Sequence, residues 1–268
     1  EAVSFAQSES HGEGHDYING SPHLRHKVLR ERIDLTIRQV IADVLSRKQE
    51  CDVLEIGAGH GSFTDTVLAA GGTPTATEMS KASFAYLSKK FAAVPSVRIV
   101  YDADGEAYLA DGRRYDVVLL ISVIHHLPDY LELLRSLAES VVRPGGAIVT
   151  FQDPVWYPRQ ARWQRAVSDA SYLAWRVFQG EFRRGLRTRM RRLRGVYDQS
   201  EPSDLVEYHV VRQGCDDVAM ADVFRAHFRD VSTEYYFSTQ LPLLQAIGTN
   251  RFPPNTFGIV ARGRDDSR

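Results

Sequence analysis

The sequence contains few cysteines, no long hydrophobic run and no excess of charge of one sign. Its 268 residues include only Cys51 and Cys215, which are too few and too far apart for a disulfide framework or a zinc site. No ligand cluster with metal spacing is found, so no metal site is assigned, and a magnesium site assembled from distant carboxylates stays open. No stretch reaches the roughly 18–20 uninterrupted apolar residues of a transmembrane helix, and no secretory signal is recognisable. These absences predict a cytoplasmic protein without a membrane-spanning segment.

The composition is that of a globular domain. Lysine and arginine number 33 against 34 acidic residues, the net charge is −1, and 43% of the residues are hydrophobic, which excludes a disordered or collagen-like chain. The neutral total hides an asymmetry, because residues 156–196 hold eleven arginines and two acidic residues. The seven arginines between residues 183 and 194 fit a solvated helix face, or a surface for an anionic acceptor, an anionic membrane or nucleic acid.

Hydrophobic periodicity predicts the secondary structure. Apolar residues at helical spacing follow Ser21-Pro22 and predict a helix to about residue 47, after which short apolar runs alternate with helical stretches. That alternation is typical of a doubly wound α/β sheet of mostly parallel strands. The predicted strands are 53–56, 73–77, 97–100, 115–121, 147–151, 231–239 and 256–262, and the predicted helices between them are 62–70, 81–93, 130–142 and 216–227. A loop with three prolines is predicted between the last two strands.

The chain divides into four predicted segments. Residues 1–22 form a polar arm, 23–154 form the core of the fold, 155–205 form a helical insertion rich in arginine and tryptophan, and 206–268 supply the closing helix and strands.

A glycine-rich turn follows the first predicted strand. Gly57, Gly59 and Gly61 lie at alternate positions between that strand and the next helix, where glycine permits sharp bends and close approach of a ligand. Dinucleotide-binding turns use a wider G-x-G-x-x-G spacing, so a nicotinamide oxidoreductase is an alternative for this turn alone, as is a tight turn without a ligand. Two carboxylates, Glu78 and Asp102, follow the next two strands and favour a ligand with a ribose.

Two further motifs lie next to the fourth and fifth predicted strands. The fourth strand runs into Ile124-His125-His126-Leu127, and Arg143-Pro144-Gly145-Gly146 precedes the fifth. With these motifs, residues 51–151 resemble class I S-adenosylmethionine-dependent methyltransferases of the type 11/12-like group. The resemblance implies a seven-stranded Rossmann-like sheet of order 3-2-1-4-5-7-6, S-adenosylmethionine as cofactor with S-adenosylhomocysteine as product, and an N-terminal arm that acts as a cofactor lid.

The resemblance also assigns a cofactor site residue by residue. It implies contacts with the methionine part from the loop, with the ribose from an acidic residue, and with the adenine from the second and third strand ends. The implied cofactor residues are Tyr17, Glu55, Gly57, Ala58, Gly59, Gly61, Glu78, Met79, Asp102, Ala103 and Ser122.

Methyl transfer from a sulfonium needs alignment of the reactants and removal of one acceptor proton. Histidine suits that proton transfer, and the candidate bases are His126, His125 and His209, although the histidine pair also fits an architectural role. The candidate acceptor-binding residues are Gln152, Asp153, Trp156 and Trp163.

The predicted function is O-methylation of a small-molecule, glycan or lipid acceptor, in secondary-metabolite tailoring or a related setting. The Asn/Asp-Pro-Pro-Tyr run that grips an amino group is absent, as is a Pro-Cys nucleophile for base methylation. Two alternatives stay open. One is an RNA methyltransferase that uses the arginines as a phosphate track, and the other is a domain that binds the cofactor without turnover.

Overall fold

The computed structural model describes residues 21–103, 105–110, 112–167, 170 and 214–265. The predictions made for Tyr17, for His209 and for the arginines between residues 183 and 194 lie outside these residues, as does most of the predicted insertion.

Seven strands form one mixed sheet in the order β3-β2-β1-β4-β5-β7-β6, which confirms the predicted order. Strands β1 to β5 are parallel where they pair, and β7 runs antiparallel to both β5 and β6. The strands are β1 (Asp52–Ile56), β2 (Thr73–Glu78), β3 (Arg98–Tyr101), β4 (Tyr115–Ile121), β5 (Val142–Pro154), β6 (Phe228–Tyr236) and β7 (Thr256–Arg264).

Helices cover both faces of the sheet, which explains why the central strand β4 is buried along its whole length. On one face Val117 and Leu119 pack with α2 and α3, and on the other Val118 and Leu120 pack with α6 and α7. The helices are α1 (Pro22–Arg25), α2 (Lys27–Leu45), α3 (Ser62–Ala69), α4 (Lys81–Lys90), α5 (Ala107–Ala110), α6 (Tyr130–Ser136), α7 (Asp217–Arg225) and α8 (Pro242–Arg251).

Three local predictions need correction. The first predicted helix is broken at His26, whose extended backbone separates α1 from α2, and Val28 is exposed rather than part of the apolar face. The predicted helix 130–142 ends in one π-helical turn after α6. The predicted proline loop contains α8, because Pro242 occupies the first turn of a helix, where its missing N–H costs nothing.

The amino edge of the parallel strands is held by ion pairs. Asp116 at the start of β4 accepts from Lys48 Nζ at 2.5 Å, from Arg143 Nη1 at 2.9 Å and from the Asp52 backbone N–H at 2.9 Å. Among the described helices, none is long and apolar enough to cross a membrane.

Candidate active site

The glycine turn after β1 has the backbone that its residues predict. Gly57, Gly59 and Gly61 all have positive φ, at 69°, 57° and 71°. A Cβ on Gly61 would lie 2.6 Å from Phe91 Cε2, and one on Gly57 would lie 2.8 Å from Val123 Cγ2. The turn therefore requires glycine for conformation and for space, and it is packed against α4 on one side and the loop after β4 on the other.

Glu55 is a buried carboxylate at the end of β1. Its side chain is 2% exposed, and Oε2 accepts a 2.5 Å hydrogen bond from Thr64 Oγ1 on α3. Burial raises the pKa of the Glu55 carboxyl to about 7, and the hydrogen bond from Thr64 opposes part of that rise. The site thus holds an acid that a neighbouring cation would convert to its ionised form.

Glu78 and Asp102 lie at the ends of β2 and β3. Glu78 Oε2 accepts from the Gly59 backbone N–H and Oε1 from the Ser80 N–H, both at 2.8 Å. Burial raises the pKa of Glu78, and these N–H donors oppose the rise. Asp102 is buried, and its Oδ1 accepts from the Ala107 N–H at 3.0 Å. Two carboxylates therefore follow the glycine turn along the same edge of the sheet.

The ends of β4 and β5 carry strained backbone. Ser122 and Gln152 are the only non-glycine residues with positive φ in the described part of the chain, at 63° and 70°. They directly follow the last paired residues, Ile121 and Phe151, so the two strained residues are neighbours. Such conformations cost about 1–3 kcal/mol each and persist where the surrounding structure enforces them, often at functional sites.

A histidine–aspartate pair joins these two strand ends. His125 Nδ1 lies 2.9 Å from Asp153 Oδ1, and the His125 backbone N–H donates to the same oxygen at 3.2 Å. Asp153 is fully buried, and its Oδ2 has no hydrogen-bond partner among the described residues. Burial raises the pKa of Asp153 well above its ordinary value, against backbone N–H donation from His125 and Ile124. The His126 ring lies against the His125 ring, with centroids 4.0 Å apart.

Gln152 is fixed from β6. Its backbone N–H donates to Tyr236 Oη at 2.9 Å, and its Nε2 donates to Ser238 Oγ at 2.7 Å. Burial raises the pKa of Tyr236, so the hydroxyl stays neutral and available as an acceptor for that N–H.

Residues 54–148 match the family model described as a methyltransferase domain. These residues therefore form a methyltransferase domain, and the strand order of the sheet is that of the class I fold. The cofactor of this family is S-adenosylmethionine, as predicted. No group of three or more potential metal-ligating side chains lies close together among the residues that the structure describes.

The methyltransferase domain has curated relatives of different kinds. The lovastatin nonaketide synthase polyketide synthase component of Aspergillus terreus is 32% identical over 126 residues, which are 43% of this chain and 4% of that protein. The ubiquinone biosynthesis O-methyltransferase of Coxiella burnetii is 27% identical over 97 residues, 36% of this chain and 41% of the relative. The chain thus spans less than half the length of these relatives.

The fold also matches a solved methyltransferase along nearly the whole chain. The N-methyltransferase NodS of Bradyrhizobium japonicum, in complex with S-adenosylhomocysteine, covers 99% of this chain and 100% of its own, at a TM-score of 0.55 and 12% identity. At 12% sequence identity, this structural similarity shows a shared fold and nothing more specific.

The structure brings most of the predicted site of the methyltransferase domain to one edge of the sheet. The loop after β1, the acidic residues Glu78 and Asp102, and the residues around the ends of β4 and β5 all lie at the carboxyl ends of parallel strands. Met79 and Ala103 follow the same strand ends. Trp163 is 59% exposed, and Trp156 lies beneath the Arg159 guanidinium at 5.0 Å from its ring centroid. Among the described residues, no contact joins either tryptophan to the His125–Asp153 pair.

Several side chains that support the site carry no motif in the sequence. Thr64, Lys90, Tyr236 and Ser238 act through contacts between different elements of the fold, so the spacing of motifs along the chain does not identify them. A groove of 340 Å³ lined by Arg47, Arg229 and Arg262, among others, lies at the amino edge of β5, away from the strand ends that carry the site.

Proposed function

We propose that this domain catalyses transfer of a methyl group from S-adenosylmethionine to a hydroxyl oxygen of a small organic acceptor. The observation that carries the proposal is the His125–Asp153 pair, which supplies a base at the edge where the family binds its cofactor. A hydroxyl is a weak nucleophile until it loses its proton, so a positioned base is the group that O-methylation needs most.

The residues of the cleft fit the cofactor. The backbone of Gly57, Gly59 and Gly61 leaves room for close approach, and the buried carboxylate of Glu55 suits the ammonium group of the methionine part. Glu78 suits the ribose hydroxyls, and Asp102 the adenine amino group. When bound, the cofactor supplies a methyl group already activated by its sulfonium.

Asp153 orients the base. The Nδ1–H tautomer of His125 donates to Asp153 Oδ1, which leaves the lone pair of the imidazole on Nε2. His125 Nε2 then takes the acceptor proton, and the imidazolium that forms favours the ionised form of the buried Asp153, which stabilises it in turn. The sequence alone slightly favoured His126 as the base. The geometry instead supports His125 in that role. Asp153 thereby has an orienting role, rather than the acceptor-binding role predicted from the sequence.

A carbon acid is the second candidate acceptor. The relative that is a polyketide synthase component matches this domain at 32% identity, and the carbon between two carbonyl groups of an acyl chain also needs a base before it attacks a methyl group. The same His125–Asp153 pair serves both acceptors. A phenol or alcohol and a β-ketoacyl thioester therefore form the first acceptor panel, and product fragmentation distinguishes O-methyl from C-methyl.

Four variants test the base. His125→Gln should lower turnover by about 100-fold or more and leave the dissociation constant of S-adenosylhomocysteine within about twofold of wild type. Asp153→Asn should lower turnover by about tenfold or more and alter the pH dependence of the rate, because the imidazolium loses its counter-charge. His126→Gln and His227→Gln are the matched controls, and His227 lies at the opposite edge, next to Glu139.

Three results contradict the proposal. Unchanged turnover in His125→Gln, or a larger loss in His126→Gln, removes His125 as the base. Failure of the wild-type protein to bind S-adenosylhomocysteine in calorimetry removes the methyltransferase activity itself. A rate that depends on RNA, with binding that weakens steeply with salt, favours the RNA alternative.

A further inference from the structure

Lys90, the last residue of α4, lies against the glycine turn. Its Nζ donates to the carbonyl oxygens of His60 at 3.0 Å and Gly61 at 3.1 Å, and it pairs with Asp65 Oδ2 on α3 at 2.7 Å. The side chain is 28% exposed, so these contacts are partly shielded from water. One ammonium group therefore binds three oxygens at the junction between the turn and α3.

The same end of α4 also shapes the turn by packing. Leu87 and Phe91 fill the space beside Gly61 where a Cβ would otherwise lie, at 2.8 Å and 2.6 Å. Both side chains are buried in a small apolar cluster with Ala58. Packing fixes where the turn lies, while Lys90 holds the direction of its carbonyl groups, together with the Asp65 backbone N–H in the case of Gly61.

That direction matters because the C=O and N–H of one peptide unit point in opposite directions. With the Gly61 carbonyl held by Lys90, the Ser62 N–H points away from Lys90, at the start of α3. Gly61 is the N-cap of this eight-residue helix and provides no side-chain cap, so the first N–H groups of α3 are donors for an anion.

The charges around α3 oppose an anion unless they are neutralised. Asp65 in the first turn is negative and its side chain is 54% exposed, and the Glu55 carboxylate lies beneath the same helix. Lys90 pairs with Asp65 and also lowers the pKa of Glu55. The methionine part of the cofactor carries both a carboxylate and an ammonium group. Its site therefore needs a helix N-terminus for the carboxylate and, close by, a carboxylate for the ammonium group.

We propose that Lys90 is a positioning residue for the carboxylate of the cofactor's methionine part. It touches the loop and Asp65 rather than the cofactor, and it acts by orienting the peptide groups of the turn and cancelling the charge of Asp65. This inference rests on the proposed function, since it takes S-adenosylmethionine as the ligand of the turn.

Calorimetry with two nucleosides tests the proposal. S-adenosylhomocysteine carries the amino-acid part, and 5′-methylthioadenosine lacks it. Lys90→Met should weaken binding of S-adenosylhomocysteine by about tenfold, since two or three charge-assisted hydrogen bonds are lost at a partly exposed position, and should leave methylthioadenosine within about twofold. Lys90→Arg should recover most of the loss, and Lys89→Met, one residue earlier, is the matched control.

Kinetics and a second substitution distinguish a positioning role of Lys90 from a general disruption of the folded structure. Lys90→Met should raise the KM for S-adenosylmethionine about tenfold and leave kcat at saturating cofactor within about twofold. Asp65→Asn added to Lys90→Met should recover part of the affinity, because the uncancelled charge is removed.

Three outcomes overturn the inference: unchanged affinity in Lys90→Met, equal weakening for both nucleosides, or no recovery in Lys90→Arg. If wild-type protein binds S-adenosylhomocysteine and Lys90→Met binds it equally, only the role of Lys90 fails. If wild-type protein does not bind it, the proposed function fails.

Discussion

Replacement of Glu55 by glutamine tests how the burial of this carboxyl group affects the stability of the folded protein. Burial raises the pKa of the Glu55 carboxyl from its ordinary value of 4.5 to about 7 in the folded protein. In the unfolded chain the carboxyl is in water and titrates at its ordinary pKa. Between these two pKa values the folded protein therefore holds a proton that the unfolded chain has released.

The sign of the pH dependence follows from that proton. Because the native state binds more protons in this window, the free energy of unfolding declines as the pH rises. The favourable contribution of protonated Glu55 is complete below pH 4.5 and is lost as the pH passes through about 7. Between pH 5 and pH 8 the loss amounts to about 2.5 kcal/mol. Glutamine does not titrate, so the stability of Glu55→Gln relative to wild type should rise by about that amount over the same interval.

Urea unfolding at pH 5, 6, 7 and 8 checks this prediction, with the difference in unfolding free energy between variant and wild type as the readout. Thr64→Val should steepen the wild-type pH dependence, since it removes the hydrogen bond that favours the charged form. Glu50→Gln removes an exposed carboxylate and is the control. A difference for Glu55→Gln that stays constant from pH 5 to pH 8 would refute the desolvation argument.

The remaining predictions concern stability elsewhere. Gly61→Ala should destabilise the domain by about 2 kcal/mol more than Gly112→Ala. Both glycines have positive φ, but only a Cβ at position 61 would meet a side chain, that of Phe91 at 2.6 Å. Equal melting temperatures of the two variants would contradict this. Asp116→Asn should cost about 2 kcal/mol, because the carboxylate is 7% exposed and holds two cations whose own partial exposure moderates the loss. Asp222→Asn, in an exposed pair with Arg225, should cost only a few tenths of a kcal/mol in the same denaturant titration.

The sheet could be predicted from the sequence because its signals are local. Strand β4 is an uninterrupted apolar run that is buried on both faces, and the glycine turn and the acidic residues come in a fixed order along the chain. Helix α8 was missed because Pro242 and Gly248 are usually read as breaks. In the structure Pro242 starts the helix, and Gly248 allows contact with Phe237, where a Cβ would lie 2.3 Å from the ring.

The orientation of the last residues of β5 could not be predicted in the same way. Strict alternation along a strand assigns side chains to opposite faces, but the register of β5 against β7 shifts between Phe151 and Asp153. The positive φ of Gln152 accompanies this shift, and Asp153 is buried against His125. A bulge of this kind depends on the partner strand, so residue spacing within β5 does not reveal it.

Buried carboxyl groups have different surroundings at the two edges of the sheet, and the difference fits a site at the carboxyl edge. At the amino edge, Asp116 accepts from two cations and a backbone N–H, which stabilises the fold. At the carboxyl edge, Asp153 Oδ2 has no hydrogen-bond partner in the part of the chain that the structure describes, Glu55 is desolvated, and the backbone of two non-glycine residues is strained. Each of these features costs stability in the protein alone, and a ligand with an ammonium group or a base-assisted acceptor offsets part of that cost. Desolvated carboxyl groups and strained backbone at this edge are what a site built to bind and react should show.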